Sequence, residues 1–372
     1  MAYNKEYDWW VNFLHKKTLS LVIIALLGLI ATITVYFRTD YAETLAVITQ
    51  IKTSAPVSEK DQYDNRDQQL TQTGTLKLLN TKKSGQTFAF TNNYDRSQLV
   101  NQHFYKHQRV FVQVTDQKAT IDNAKRDWVL VLAGTILFLL IVQVLNQKSY
   151  LVILSLLFNM IIFGMTIRLD IWRNGTNPIL IYSLAAIIFA VGSFLIFQGW
   201  HLKMAVMLLS TISALLLAFT LSYGIMSLTK EKGITYMAVA YATQSPRSLF
   251  LGQTLLGVLG AVMDESTDIV TSLNELLEQQ PTVSAQQLWQ SGLAIGREIM
   301  GPLINVLFLI FMADALPMTI LYLRDNNAIN YTFTYTLSLG VIQSLISAIG
   351  IVLTVPIATL TSLILRRKQV QL

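Results

Sequence analysis

Apolar and polar residues alternate in long blocks along the chain. A first apolar run covers residues 18–37, a long polar stretch follows it, and from Asp127 the chain is again mostly apolar. Because a helix needs about 20 apolar residues to cross a bilayer, each apolar run predicts a membrane span. The later runs cover residues 128–146, 150–167, 179–198, 204–228, 249–277, 292–323 and 335–365. The pattern therefore predicts an all-α membrane bundle of about eight transmembrane helices.

The polar stretch, residues 41–126, has the period-two alternation of short β-strands. One predicted strand places Val110, Val112 and Val114 on the same side. Similar alternation marks further strands at Phe88 and Phe90, and at Leu45, Val47 and Ile51. About five short strands predict a small β-barrel or open sandwich inserted between membrane helices. Residues 53–72 are predicted to be a polar loop or a short helix.

These blocks divide the chain into an N-terminal signal-anchor helix, 1–40, a β-rich domain, 41–126, and a multi-helix transmembrane domain, 127–372. Cytoplasmic ends of membrane helices carry an excess of lysine and arginine. Lys16 and Lys17 lie before the first run, and the last run is followed by the basic residues Arg366, Arg367 and Lys368. We therefore expect a multi-pass protein of the cell membrane with both termini cytoplasmic and the β-rich domain extracytoplasmic.

The composition excludes several classes of protein. Hydrophobic residues make up 52% of the 372 residues and charged residues 13%, whereas a soluble protein carries about 25% charged residues and a disordered chain is more polar still. Lipid headgroups and positive cytoplasmic ends explain the net charge of +6, so no nucleic-acid partner is predicted. The absence of cysteine excludes disulfides, thiolate metal sites and a cysteine nucleophile.

Motifs of common catalytic chemistry are missing from the sequence. It has no G-x-x-x-x-G-K-[ST], H-E-x-x-H or G-x-S-x-G pattern. His103 and His107 have a spacing that chelates a metal on a helix, but without an acidic neighbour an exposed loop is the simpler interpretation. Asp264 and Asp268 point the same way from one helix, unlike the facing carboxylates of an aspartyl protease. We therefore predict no enzyme activity, no cofactor and no metal site.

Residues 252–278 are the most informative segment. The segment begins as a membrane span with Gly257 and Gly260, whose small size lets another helix approach closely, and it then becomes acidic. At about 3.6 residues per turn, one helix face carries Asp264, Asp268 and Glu275, with Glu265 on a neighbouring face. A carboxylate at membrane depth costs about 3 kcal/mol on insertion scales. The stripe is therefore either a binding site within the bilayer or the wet cytoplasmic end of the helix.

A second polar set lies on the next predicted helix. Glu298 and Asn305 are seven residues apart and share a face, and Arg297 lies beside it. Residues that favour close packing or a kink on this helix are Gly296, Gly301 and Pro302. Proline inside a helix removes a backbone hydrogen bond and predicts a kink. An ion pair between Arg297 and one of the two aspartates, Asp264 or Asp268, is the simplest compensation for the acidic stripe.

The same two helices carry a resemblance to a known family. The segments GVLGAVMDESTDI, SLNEL and SGLAIGREIMGPLINVLFLIF, followed by ALP, resemble the YibE/F family of multipass membrane proteins. By this resemblance Asp264, Glu275 and Asn305 match the acidic and amide residues of the family pattern. Its glycine-framed charged element is matched by Gly296, Arg297, Glu298 and Gly301. Pro302 and Val306 stand where the family usually carries threonine.

The resemblance implies a permease-like protein of the longer kind in this family, which bears an outer domain and is commonly encoded with a shorter relative. Besides the lipid bilayer, the implied partner is that shorter family member or a second copy of the chain. Together with the polar stripe, this predicts a permease or transporter subunit whose acidic intramembrane site binds a cation, a proton or a substrate. The alternative is a non-transporting scaffold whose outer β domain binds an envelope protein.

Overall fold

The computed structural model describes the backbone of residues 2–98, 101–115, 118–145, 149–236 and 245–370. It divides into two compact units, Met1–Tyr150 and Leu151–Leu372. Eight of the described helices are long and apolar enough to cross a membrane. This agrees with the predicted number of spans, and the protein is a helical membrane protein that carries a small β domain. Of the stretch between the apolar runs 204–228 and 249–277, the structure describes residues 229–236 and 245–248, and a helix begins within it at Pro246.

The helices coincide with the apolar runs, although α1 and α7 begin well before the runs that start at residues 18 and 292. Their bounds are α1 (Ala2–Phe37), α2 (Asp127–Leu145), α3 (Ser149–Trp172), α4 (Pro178–Gln198), α5 (Leu202–Leu228), α6 (Pro246–Gln279), α7 (Ala285–Arg324), α8 (Ile329–Thr332) and α9 (Ser338–Val370). A π-helical turn, Phe333–Leu337, joins α8 to α9 and forms one continuous span with them. The division into units places α2 with α1 and the β domain rather than with the later helices.

Local sequence signals set several helix ends. Pro178 and Pro246 stand in the first turns of α4 and α6, where a proline loses no helical hydrogen bond. Ser284 caps α7 through a capping box with Gln287, with hydrogen bonds of 3.0 and 3.2 Å. α7 continues past Pro302 and past its other internal proline as one helix, so neither proline breaks it.

The β domain is a closed barrel. Its strands are β1 (Leu45–Thr53), β2 (Val57–Lys60), β3 (Arg66–Leu78), β4 (Thr87–Asp95), β5 (Arg109–Thr115) and β6 (Lys118–Ala124). The sheet order is β1-β5-β6-β4-β3-β2, and a further pairing of β1 with β3 closes five of the strands into a ring. β4 and β6 pair in parallel and the other neighbours are antiparallel. This arrangement is typical of an OB-type Greek-key barrel.

Two details of the predicted strands are wrong. Residues 53–72 contain β2 and the first part of β3 rather than a loop or helix. β2 is exposed throughout and the start of β3 is polar, so neither carries an apolar alternation. In β1 Ala46 and Ile48 enter the barrel core rather than Val47, although Leu45 is also fully buried. A bulge after Ile48 then shifts the register so that Ile51 packs against the core.

A close backbone contact accompanies this bulge. A Cβ atom on Gly74 of β3 would lie 2.0 Å from the carbonyl oxygen of Gln50. A side chain at this position would push β1 away from β3, and glycine in a strand often marks such an approach. The β1–β3 pairing that closes the barrel therefore depends on the missing side chain of Gly74.

Lys125 joins the barrel to the two helices of its unit. Its side chain is 1% exposed and forms an ion pair with Asp127 Oδ1 at 2.9 Å. The same ammonium group donates to the carbonyl oxygens of Val35 and Tyr36 in the last turn of α1. Because helix carboxyl ends favour positive charge and amino ends favour negative charge, Lys125 stabilises the end of α1 while Asp127 stabilises the start of α2.

Further polar contacts strengthen this junction. Arg109 Nη1 donates to the Tyr36 carbonyl oxygen at 2.8 Å, and the Tyr41 hydroxyl donates to Asp127 Oδ2. Burial and, after it, the hydrogen bond to Asp127 raise the pKa of the Tyr41 phenol to about 12, so Tyr41 remains a neutral donor across the physiological pH range. The barrel is therefore fixed to the ends of α1 and α2 by a connected set of polar contacts.

We predict that Lys125→Met lowers the free energy of unfolding of the full chain by about 2 kcal/mol, because Asp127 and the α1 carbonyl groups lose a charged donor. Thermal unfolding in detergent, followed by tryptophan fluorescence, measures the change. Lys77→Met is the matched control, since Lys77 is exposed on β3 and exposed substitutions usually change stability by about 0.5 kcal/mol or less. Equal stability of the two variants would contradict the anchoring role of Lys125.

Candidate functional site

Helix α6 lies at the centre of the second unit. It contacts α4, α5, α7 and α9, and α9 also contacts α5 and α7. The buried face of α6 enters both apolar core clusters of the unit, with Val258 and Val262 in one cluster and Ile269 in the other. This face of α6 is therefore enclosed by other helices on several sides.

One carboxylate lies on this enclosed face. Glu265 is 0% exposed, and neither of its carboxylate oxygens has a hydrogen-bond partner among the described residues. It follows Val262 by three residues and precedes Ile269 by four, so helical periodicity places all three on one side. An isolated charged carboxylate is strongly disfavoured in an apolar interior. A bound proton or cation is therefore the compensation that this environment leaves open to Glu265.

Hydroxyl side chains from three helices lie in the same core. Thr211 of α5, Ser266 of α6 and Ser347 of α9 are each 0% exposed, and their hydroxyls lack a hydrogen-bond partner in the described part of the chain. Another buried hydroxyl, that of Thr354, donates to the Gly350 carbonyl oxygen of its own helix at 2.7 Å. The buried residues of α5, α6 and α9 are therefore mostly apolar, but they include several hydroxyl oxygen atoms.

The six residues predicted to form the site have exposed side chains on this unit. They are Asp264, Asp268, Glu275, Arg297, Glu298 and Asn305. Within the described residues Arg297 forms no ion pair with either aspartate, so the expected pairing is wrong for a single chain. Gly296 faces α9. Arg297 is the next residue of α7, and the rotation of about 100° per residue in a helix directs the Arg297 side chain outward. The structure thus separates an outer set of charges from the buried Glu265.

The packing of α4 against α6 fixes the height of Glu265 in the bundle. A Cβ atom on Gly252 would lie 2.5 Å from the Tyr182 ring, and further along both helices Ser193 and Asp264 line the same cavity, so α4 and α6 run in the same direction. Glu265, which follows Asp264, therefore lies near the level of Ser193, in the last third of α4.

A groove opens on the outer side of α6. It is a cavity of about 520 Å³ between α3, α4 and α6, and most of its lining is apolar. Its polar groups come from Asp264, Asn159 and Ser193, and Asn159 Nδ2 donates to Ser193 Oγ at 3.1 Å. Asp264 therefore faces a surface groove with two further polar residues, neither of which the sequence patterns singled out.

The glycines predicted for helix packing differ in their surroundings. A Cβ atom on Gly296 would lie 2.3 Å from Val355 Cγ1 of α9, whereas one on Gly257 would lie 3.0 Å from Gln343 Nε2. A Cβ atom added to either of the other two, Gly260 or Gly301, would have no neighbouring atom within 4 Å. Small residues allow close approach of membrane helices, and here the tightest of these approaches is between α7 and α9.

Glu265 is the functional candidate that the sequence patterns undervalued. The acidic stripe marks the face of Asp264 and Asp268, whereas the apolar residues three and four positions from Glu265 mark the neighbouring, buried face. That signal was present in the sequence, because a carboxylate surrounded at helical spacing by valine and isoleucine is unusual. The partner helices that enclose it are distant in the chain and have no such signature.

The fold and the site define a multipass membrane protein with a carboxylate buried in its helical core. Residues 133–368 match the family described as YibE/F-like protein, and residues 39–125 match the YibE/F family N-terminal domain. The chain therefore belongs to the YibE/F-like family, as its sequence motifs indicated. No curated protein and no solved structure matches it.

We predict that Gly296→Ala lowers the free energy of unfolding of the purified full chain by about 1–3 kcal/mol, because the new methyl group displaces Val355. Gly301→Ala is the matched control on the same helix, where the methyl group enters open space and alanine favours the helical conformation. Unfolding in detergent by heat, followed by tryptophan fluorescence, compares the two. Equal destabilisation by both substitutions would refute the close α7–α9 contact.

Proposed function

We propose that this chain is a permease-like membrane subunit in which Glu265 holds a coupling cation, either a proton or a monovalent metal ion. The observation that carries the proposal is a fully buried carboxylate whose two oxygens lack partners among the described residues. Ionisable groups inside membrane bundles commonly mark ion or proton pathways. A purely structural role supports Glu265 less well, since an unpartnered carboxylate destabilises the bundle that contains it.

The oxygen-rich core supports a small cation rather than a transition metal. No group of three His, Cys, Asp or Glu side chains gathers in the part of the chain that the structure describes. A carboxylate in a helical unit that also buries unpartnered hydroxyl groups suits a proton or a hard monovalent cation, because such cations prefer oxygen ligands. This chemistry is binding and release rather than catalysis, and we propose no enzyme activity for the chain.

The outer polar residues support a membrane partner. The exposed face of α7 carries Arg297, Glu298 and Asn305, and charges that face lipid are costly. We propose that a second membrane subunit, the shorter family member or another copy of this chain, covers this face and the stripe of Asp264 and Asp268. In the cell membrane we propose cytoplasmic termini and an extracytoplasmic barrel, in line with the positive charges at both ends.

Ion uptake by proteoliposomes tests the proposed function. The full chain is reconstituted, a pH or sodium gradient is imposed, and proton or sodium uptake is followed with an internal pH dye or radioactive sodium. We expect uptake of one of the two ions above that of empty liposomes. Glu265→Gln should reduce it roughly ten-fold, because the amide cannot carry the charge that binds the ion. Glu265→Asp should retain part of it.

Glu278→Gln is the matched control, being the same substitution at an exposed position of the same helix, and should leave uptake unchanged. Uptake by Glu265→Gln equal to that of the unmodified chain, or no uptake by the unmodified chain, would contradict the proposal. Either result would favour the scaffold alternative, in which the barrel carries the function and the bundle only anchors it.

A further inference from the structure

A second cavity lies in the first unit, at the base of the barrel. Its volume is about 630 Å³. Four basic side chains line it, together with His107, and no acidic residue is among its lining residues. We call it the basic pocket, and its basic residues are Lys106, Arg109, Lys125 and Arg126.

The basic pocket lies where α1 ends and α2 begins, because residues of both helix ends line it. Tyr36, the last residue but one of α1, and Trp128, the second residue of α2, both line it. Their rings meet edge to face with centroids 5.9 Å apart. Tyrosine and tryptophan concentrate at membrane interfaces, where one end of the ring is apolar and the other is wet. The pocket therefore lies at the height of the lipid headgroups.

The charges of the basic pocket differ in how they are held. Lys125 and Arg109 both donate to the carbonyl oxygen of Tyr36 at the end of α1. Arg126 Nη2 donates to Gln102 Oε1 at 2.5 Å. Lys106 is exposed and has no partner in the described part of the chain. The pocket thus combines a wall of fixed basic side chains, of which Lys125 is paired with Asp127, with at least one free ammonium group at its rim.

The loop that carries Lys106 is held firmly in place. The His107 amide donates to the Ile48 carbonyl oxygen at 2.8 Å, and the Ile48 amide donates to the Gln108 carbonyl oxygen at 3.0 Å. Gln108 Oε1 accepts from the Tyr105 amide at 2.8 Å. These bonds tie both sides of the turn to β1 and to the loop itself, so the rim of the pocket is preorganised rather than formed by a mobile segment.

We propose that the basic pocket binds the phosphate headgroup of an anionic phospholipid in the leaflet next to the barrel. Lysine and arginine supply the charge and hydrogen-bond donors that a phosphodiester needs, and basic pockets at helix ends bind such headgroups in membrane proteins. The aromatic rings of Tyr36 and Trp128 contact the boundary between headgroup and acyl chain. The bound lipid then bridges the barrel and the bilayer. This site is independent of Glu265 and of the proposed transport.

Native mass spectrometry of the full chain in neutral detergent tests this site. The chain is titrated with phosphatidylglycerol or with phosphatidylcholine of the same acyl chains, and the fraction of protein with bound lipid is measured. We expect tighter binding of phosphatidylglycerol. In Lys106→Gln/Arg126→Gln its affinity should fall about ten-fold or more, because two charges near the headgroup are removed. Arg109 and Lys125 are retained so that the junction stays intact.

Lys82→Gln/Lys83→Gln is the matched control, since it removes the same charge from the exposed turn between β3 and β4, and should bind phosphatidylglycerol as the unmodified chain does. Equal affinity for the two lipids, or equal loss in both double variants, would overturn the proposal. Displacement of phosphatidylglycerol by glycerol phosphate at matched concentration would also overturn it, because the pocket would then recognise a free phosphate compound rather than a lipid.

Discussion

The bundle depends on one constraint, namely that a polar group enclosed by apolar helices must find a partner or a ligand. A buried hydroxyl can satisfy this constraint by donating to a carbonyl oxygen of its own helix, as Thr354 does. Glu265 cannot, because a carboxylate has no hydrogen to donate to a helix carbonyl. Its position between buried Val262 and Ile269 is therefore the basis for proposing that it holds a proton or a cation. The proposed transport role follows from that requirement rather than from any catalytic motif.

Close packing and exposed charge divide the second unit into an inner and an outer side. Gly296 brings α7 against Val355 of α9, and the adjacent Arg297 points outward. On α6 the buried Glu265 and the exposed Asp264 are likewise neighbours in the chain. The same helices thus present a buried carboxylate to the core and a charged stripe to the surroundings, and the proposed transport and the proposed membrane partner rest on these two features.

Much of this architecture follows from the sequence because membrane spans and alternating strands leave strong local patterns. The helix bounds and the inward side chains Val110 and Val112 agree with those patterns. The polar start of β3 and the bulge in β1 do not, since cross-strand pairing rather than local alternation determines them. The predicted stripe of Asp264 and Asp268 lies on an exposed face of α6, beside the face that buries Glu265. Helical periodicity groups residues without stating which group faces the other helices, and that information comes from contacts between distant segments.

The occupancy of Glu265 tests the central claim most directly. Dicyclohexylcarbodiimide, an apolar reagent, adds to a protonated carboxylic acid, and mass spectrometry of the digested full chain locates the adduct. The account predicts labelling of Glu265 that increases as the pH falls, with little labelling of the exposed Glu275, and protection by sodium if the coupling ion is a metal. Absence of labelling at Glu265 at every pH, with or without sodium, would contradict it.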